Sequence, residues 1–265
     1  MTDTTKSIAP ALPSATVVIL RDGAAGIEVF MVVRHHEIDF ASGALVFPGG
    51  KVDAQDTMAE WTDLAPLESN PPMRSFFIAA IRETFEEAGF LLARRRGTAT
   101  LLGADDTRRL VDSDRDNVLK GQMPFADLIR RENLQLAMDL MVPFAHWVTP
   151  VVMPKRFDTH FLLVAAPVEQ LGAHDGAESV EGIWLTPAQA IADGSAGTRT
   201  VLPPTRLNLQ KLAGYPTVAE AVLAARAQDI VTVLPEVHRA PGGTRLLIPA
   251  SAGYGVSEIF MPGRK

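Results

Sequence analysis

Short apolar runs punctuated by glycine and proline dominate the first fifty positions. Residues 15–20 (ATVVIL) and 27–34 (IEVFMVVR) read as strands, with Asp22, Gly23 and Gly26 marking a hairpin between them. A third run, 44–47 (ALVF), stops at Pro48-Gly49-Gly50. Residues 51–74 are acidic, carry Pro66, Pro71 and Pro72, and read as a loop with one short turn at most. The pattern then changes period. Across 75–93, Ile78, Ile81, Phe85, Ala88 and Leu92 recur at helical spacing and define one buried face. Arg94-Arg95-Arg96 read as its C-terminal end, where cations suit the helix dipole. Periodicity is weak through 123. Residues 124–140 predict a second helix opened by Pro124. Strands are predicted at 146–152, at 157–166, which is apolar enough to be central, and at 183–185. An acidic loop occupies 172–182. Thr186-Pro187 cap and open a helix to about Ala192. Beyond Gly194 the sequence predicts helices at 203–213 and 217–227, then a hairpin over 230–248 turning at Pro241-Gly242-Gly243.

The 75–93 helix also carries the candidate chemistry. At about 100° per residue, Glu83, Glu86 and Glu87 fall within about one-third of the circumference, opposite the apolar face. Like charges at this spacing repel, and a hard divalent cation relieves the repulsion. A solvated acidic face is the competing reading. Two neighbours favour the metal: the Phe47-Pro48-Gly49-Gly50 turn, where bare backbone can approach a cation, and Arg82, which can hold a carboxylate in one rotamer.

Composition narrows the classes. The 265 residues suit one large domain or a domain with an appendage, and 47% apolar with 21% charged residues is globular. Without cysteine there is no disulfide framework, Cys-zinc site or thiol nucleophile. A net charge of −6 argues against steering toward nucleic acid or anionic membranes, so a phosphate-bearing substrate would need a local cationic device. No run approaches the roughly 20 apolar residues of a membrane span, and the polar N-terminus lacks a secretory pattern. A cytoplasmic protein without nucleic-acid or membrane partners is expected.

Gly50, Asp56, Arg82, Glu83, Glu86, Glu87 and Gly89 together resemble the Nudix box, G-x5-E-x7-R-E-U-x-E-E-x-G-U, where U is a bulky aliphatic residue. Asp56 stands where the first glutamate belongs, Thr84 replaces an aliphatic residue, and about eighteen residues are inserted between Asp56 and Arg82. The split box, the stretch Lys155-Arg156-Phe157-Asp158-Thr159 and the stretch Trp184-Leu185-Thr186-Pro187 resemble the peroxisomal coenzyme A diphosphatase-like branch of mammals. Arg34, Gly43 and the Phe-Pro-Gly-Gly turn also fit the spacing of a coenzyme A signature in Nudix proteins. Met31-Val32-Val33, His35 and Asp39 depart from it.

The resemblance implies an α+β fold, a Nudix-type α/β/α sandwich around a mixed β-sheet over residues 10–195. It leaves 196–265 as a C-terminal helical and hairpin appendage. It implies metal-dependent hydrolysis of the pyrophosphate in a nucleoside diphosphate linked to another group, with coenzyme A or acyl-CoA as one substrate class. ADP-ribose or a dinucleotide is the rival substrate, and a non-catalytic nucleotide-binding Nudix module the rival class. Mg2+ or Mn2+ is the implied cofactor, held by Glu83, Glu86, Glu87 and the Gly50 carbonyl, with Arg82 orienting the carboxylates. Glu86 is one candidate general base; Glu178 and Glu181 in the acidic loop are others. Arg34 and Arg156 are candidate substrate contacts, and a homodimer is left open. The insertions at 57–74 and 94–140 carry Met58, Trp61, Leu64 and Leu67, and Phe125, Leu128, Ile129 and Met138. These either wall an acyl-chain cleft, or cover the sheet edge or build a dimer interface. Phe76, Phe77, Phe85 and Phe90 read as core, and His35 and His36 as packing or surface residues.

Overall fold

The computed structural model describes residues 8–34, 43–66, 71–167, 170 and 179–263, the side chains at 34, 71 and 179–181 excepted. Strands β1 (Ala11–Gly23) and β2 (Gly26–Arg34) form the predicted hairpin around Ala24-Ala25. They pair only from Leu20↔Val29 to Gly23↔Gly26 and then part. After β3 (Leu45–Val46), strand β4 (Gly49–Lys51) takes up the free edge of β1 at Ser14–Thr16. The Pro-Gly-Gly segment therefore continues the sheet, where the sequence predicted only a stop. Gly49 allows this: a Cβ there would lie 2.3 Å from the Ala15 carbonyl oxygen.

Helices α1 (Trp61–Leu64) and α2 (Arg74–Ala88) follow, then β5 (Ala93–Arg95), α3 (Ala104–Leu110), α4 (Asp116–Leu119), α5 (Phe125–Arg131) and β6 (Leu134–Leu136). Strands β7 (Val142–Val148), β8 (Arg156–Ala165) and β9 (Ser179–Leu185) complete most of the sheet. The chain ends with α6 (Pro187–Ala196), α7 (Pro203–Leu212), α8 (Val218–Ala227), β10 (Thr232–Val233), β11 (Glu236–Ala240), β12 (Gly243–Leu247) and β13 (Glu258–Pro262).

The main sheet is mixed, in the order β10-β7-β8-β1-β2-β3, with β4 also on β1 and β9 on β2. β1 runs parallel to β8 and β7 parallel to β10; the other pairs are antiparallel. Alternation along each strand feeds two cores. Val17, Ile19, Phe30, Val32, Leu162 and Val164 face α2, while Val18, Leu20, Val29, Met31 and Leu163 face the layer of α6, α7 and α8. This is the expected α/β/α sandwich, but α7, α8 and β10, from the stretch read as an appendage, supply much of one layer and an edge strand. Strands β11, β12 and β13 form a separate antiparallel sheet, against whose side Leu246 and Ile248 are buried.

Four local readings are corrected. The strand read at 146–152 is β7, which starts at Val142 and ends at Val148, with a turn at 151–152. Helix α2 stops at Ala88 because Gly89 takes φ 69° and its N–H bonds the Phe85 carbonyl at 3.1 Å. Leu92 is thus buried from extended chain, and Arg94 and Arg95 lie on β5. The three arginines do not end a helix: Arg94 pairs with Asp139, Arg95 with Asp106, and Arg96 donates to the Asp63 carbonyl. The helix predicted over 124–140 ends at Arg131. Asn133 adopts φ 54°, a conformation asparagine tolerates, and turns the chain so that β6 pairs with β5. The described part of the 51–74 stretch carries the end of β4, a capped turn at Ala54–Thr57 and α1. Trp61 and Leu64 are buried, and the Trp61 ring lies 5.8 Å from that of Phe125. The hairpin read over 230–248 is confined to β11 and β12; β10, inside that stretch, pairs with β7 instead, and β13 has no counterpart in the sequence reading. The apolar residues of both insertions serve the core: Trp61, Leu64, Phe125, Leu128, Ile129 and Met138 all belong to the α2-side cluster, and Met58 is exposed. Leu67 lies outside the described residues.

Candidate active site

Helix α2 crosses the sheet face formed by β1 and β4, and places Arg82 at the centre of a carboxylate ring. Its Nε donates to Asp56 Oδ1 at 3.0 Å and its Nη2 to Asp56 Oδ2 at 2.9 Å. Nη1 donates to Glu83 Oε1 at 3.0 Å and to Glu86 Oε2 at 3.1 Å; Nη2 also donates to the Lys51 carbonyl at 3.0 Å. Burial alone would lower the guanidinium pKa. The hydrogen bond to Asp56 and the charges of Glu83, Asp56 and Glu86 outweigh it and raise the pKa above the ordinary arginine value. Arg82 is a permanent cation there.

Asp56 arrives from the turn after β4. Asp53 caps that turn and its N–H donates to Asp56 Oδ2 at 2.8 Å, closing a capping box. Glu87 accepts from the Gly49 N–H at 2.9 Å. Gly50 faces Glu83 so closely that a Cβ would lie 2.4 Å from the carboxylate carbon. Arg115, at the end of the π-helical segment Val111–Arg115 between α3 and α4, donates its Nε to the Glu86 carbonyl at 2.8 Å. Glu86 and Glu87 are buried and Glu83 is nearly so. The apolar wheel expected for α2 holds for Ile78, Ile81, Phe85 and Ala88, and the acids meet β4 across a packed seam instead of open solvent.

Three carboxylates around one guanidinium, with Glu87 beside them on the Gly49 N–H, leave a strong negative excess in a water-poor place. Oxygen donors from acids, with a backbone carbonyl at the bare Gly50, match the ligand chemistry of Mg2+ or Mn2+. The absent Cβ at Gly50 is what lets the Glu83 carboxylate sit over the strand backbone.

This local architecture has counterparts. A sequence profile of the NUDT19 Nudix domain matches residues 68–212, more than half the chain. The chain belongs to the NUDT19 Nudix domain family. The acyl-coenzyme A diphosphatase NUDT19 of Xenopus laevis is 25% identical over 237 residues, covering 73% of this chain and 61% of that protein. A putative nudix hydrolase 7 of Caenorhabditis elegans is 28% identical over 184 residues, covering 69% of this chain and 55% of its own length. The chain thus spans less than two thirds of either relative. Among solved structures, a NUDIX hydrolase from Alicyclobacillus acidocaldarius superposes with a TM-score of 0.66 at 28% identity, covering 82% of this chain and 97% of that one.

Within this Nudix domain the structure brings Gly50, Asp56, Arg82, Glu83, Glu86 and Glu87 together. It does not bring Arg156 to them. Arg156 is buried at the start of β8, where its guanidinium donates to the carbonyls of Ala9 and Thr149. The backbone of Arg34 ends β2 opposite Ser179, and that of Glu181 pairs with Val33 on β9; neither side chain is among those described. Glu178, His35, His36 and Asp39 lie outside the described residues. Sequence reading missed Asp53 and Arg115. The spacing of Asp53 and Asp56 is the usual capping-box signal, whereas nothing local marks Arg115.

Proposed function

We propose that this Nudix domain is a divalent-metal-dependent pyrophosphatase acting on a nucleoside diphosphate joined to another group, with coenzyme A or acyl-CoA as its substrate. The observation that carries this is the Arg82 hub, which holds Glu83 and Glu86 over β4 while Glu87 is pinned to the Gly49 N–H. The substrate class rests on the acyl-coenzyme A diphosphatase relatives.

Glu83, Glu86, Glu87 and the Gly50 carbonyl are the residues that would hold Mg2+ or Mn2+. The ion would neutralise pyrophosphate oxygens and favour deprotonation of the attacking water. Water adds to one phosphorus, the bridging P–O bond breaks, and the second phosphate leaves with the bond's electron pair. The chain's own task is arrangement. Arg82 is a positioning residue: its fork fixes Asp56, Glu83 and Glu86 so that little reorganisation accompanies the reaction. Glu86 is the proposed general base, with Glu181 on β9 the alternative. Arg34, at the end of β2, is the proposed substrate contact, and Arg156 is held by backbone carbonyls on the far side of β1. No helix among the described residues is long and apolar enough to cross a membrane.

Product release measured with CoA, acyl-CoA, ADP-ribose and NADH, in Mg2+ and in Mn2+, tests the reading. CoA or acyl-CoA should be cleaved best, and chelation should abolish turnover. Preference for ADP-ribose or NADH would move the substrate class, and no turnover on any would leave a nucleotide-binding module. Glu86→Gln keeps shape and removes charge, and should cost at least about a hundredfold in kcat. Near-normal turnover would transfer the base to Glu181.

A further inference from the structure

One row of residues crosses five strands of the main sheet: Gly50 on β4, Ala15 on β1, His160 on β8, His146 on β7 and Thr232 on β10. Registered neighbours point to the same face, and this is the α2 face. Phe76 in the first turn of α2 packs on His160 with ring centroids 4.4 Å apart, while Glu83, two turns later, packs on Gly50. Seven helical residues rise about 10.5 Å, close to the roughly 9.6 Å of two strand spacings. His160 therefore shares the face of the carboxylate ring but stands two strands away from it.

Around His160 the sheet gathers a different donor set. One ligand atom each from His146, Asp158 and His160 can be chosen so that all lie within 4.8 Å of one another. Asp158 and His160 are two apart on β8, hence on one face, and His146 is the registered partner of His160. His146 Nε2 lies 2.5 Å from Asp158 Oδ1, and its Nδ1 lies 2.8 Å from Thr232 Oγ1. The two imidazoles stack at 4.0 Å. Nothing in the Nudix box uses these groups.

We propose that His146, Asp158 and His160 form a second cation site, selective for a borderline transition ion of the zinc class and separate from the carboxylate ring. Two imidazoles and one carboxylate make up a common three-ligand set for such ions, which leaves an outer position for water or a substrate oxygen. The all-oxygen ring on α2 suits the harder Mg2+ instead. Thr232 supplies the supporting hydrogen bond. Its hydroxyl donates to Nδ1 while Nε2–H faces Asp158, and accepts from Nδ1–H once Nε2 binds an ion. The parallel rings cannot both hold an ion in their planes, so binding requires one to turn out of the stack. His160 is the one able to turn, because no hydrogen bond among the described residues fixes its ring. The competing account is a polar cluster that only pins β7, β8 and β10 together.

The full chain, stripped of metal and held in excess Mg2+ to fill the α2 ring, should bind one equivalent of Zn2+ saturably in equilibrium dialysis. Co2+ in its place should give the visible absorption of a low-coordinate nitrogen–oxygen site. That equivalent should survive the combined Glu83→Gln, Glu86→Gln and Glu87→Gln substitution. It should weaken by at least about a hundredfold in His160→Ala and in Asp158→Asn, and by about tenfold in Thr232→Val. Circular dichroism melting checks that each variant is folded. Asp158 is partly exposed, so its amide variant remains informative if a histidine variant does not fold. No saturable Zn2+ binding, equal affinity in folded His160→Ala and Asp158→Asn, or loss of the equivalent with the α2 glutamates would each overturn the proposal. The outcome is independent of which substrate the enzyme cleaves.

Discussion

Arg82 and Asp56, 26 positions apart in the chain, meet in a two-pronged ion pair from which water is nearly excluded; Asp56 is 1% exposed. The inserted segment between them does not separate them: it packs Trp61 and Leu64 into the α2-side core. Removing Asp56 leaves the buried Nε–H of Arg82 and one N–H of its Nη2 without their acceptor. Asp56→Ala should therefore lower unfolding free energy by about 3 kcal/mol, read from urea denaturation. Turnover should fall with it in the still-folded fraction, because Glu83 and Glu86 lose a fixed guanidinium.

Gly49 and Gly50 are adjacent but should fail in different ways. Alanine at 49 meets the Ala15 carbonyl, which is backbone, at a φ of 152°. Gly49→Ala should cost about 2 kcal/mol of stability. Alanine at 50 meets only the end of the flexible Glu83 side chain. Gly50→Ala should leave the melting temperature nearly unchanged and raise the Mg2+ concentration for half-maximal activity by about tenfold or more. Equal thermal losses in both would contradict the assignment of Gly50 to the ion.

Trp61 decides what the insertions do. It is buried against Phe125, and Phe125 in turn lies 6.1 Å from Phe85 on α2. Trp61→Ala should lower stability by about 3–5 kcal/mol, without changing how kcat/KM varies with acyl chain length. A steeper or flatter chain-length profile in this variant would restore the insertions as an acyl-binding wall.

Tyr254 sets an alkaline limit. Its hydroxyl accepts from Trp147 Nε1 at 2.8 Å and donates to Asn208 Oδ1 at 2.7 Å. Burial pushes its pKa up to about 12, against the hydrogen bond from Trp147. A folded-state pKa above the unfolded value means the unfolded chain loses its proton first. Stability should be intact below pH 10 and decline as pH rises from about 10 to 12. Tyr254→Phe should flatten that decline while lowering stability at neutral pH by about 1–2 kcal/mol, measured by denaturation at several pH values.

The residues that were legible in the sequence are those whose neighbours are local. The α2 wheel, the β1–β2 hairpin, the Thr186 cap and the Gly242 turn each rest on spacing within a few positions. The carboxylate ring was legible because Arg82, Glu83, Glu86 and Glu87 share one helix. The end of α2 was not, because Phe90, Leu91 and Leu92 continue its apolar run while Gly89 has already reversed the backbone. The β5–β6 pairing depends on the turn at Asn133, a single residue amid a helical pattern. His146 and His160 sit fourteen positions apart on separate strands, and only strand register makes them neighbours.

β10 is only two residues long, yet it lies along the outer side of β7. It comes from the far end of the chain, after α8, so the flank of the sheet is finished last. A chain cut near residue 195 would lose β10 together with α7 and α8, whose Leu207, Leu209, Leu212 and Ala221 pack on the sheet, and would present both the edge of β7 and that apolar face to other molecules. Such a fragment should self-associate further than the full chain as concentration rises, a difference that light scattering would detect. The last strand of the sheet is thus a guard against sticking, placed well away from the residues proposed to do the chemistry.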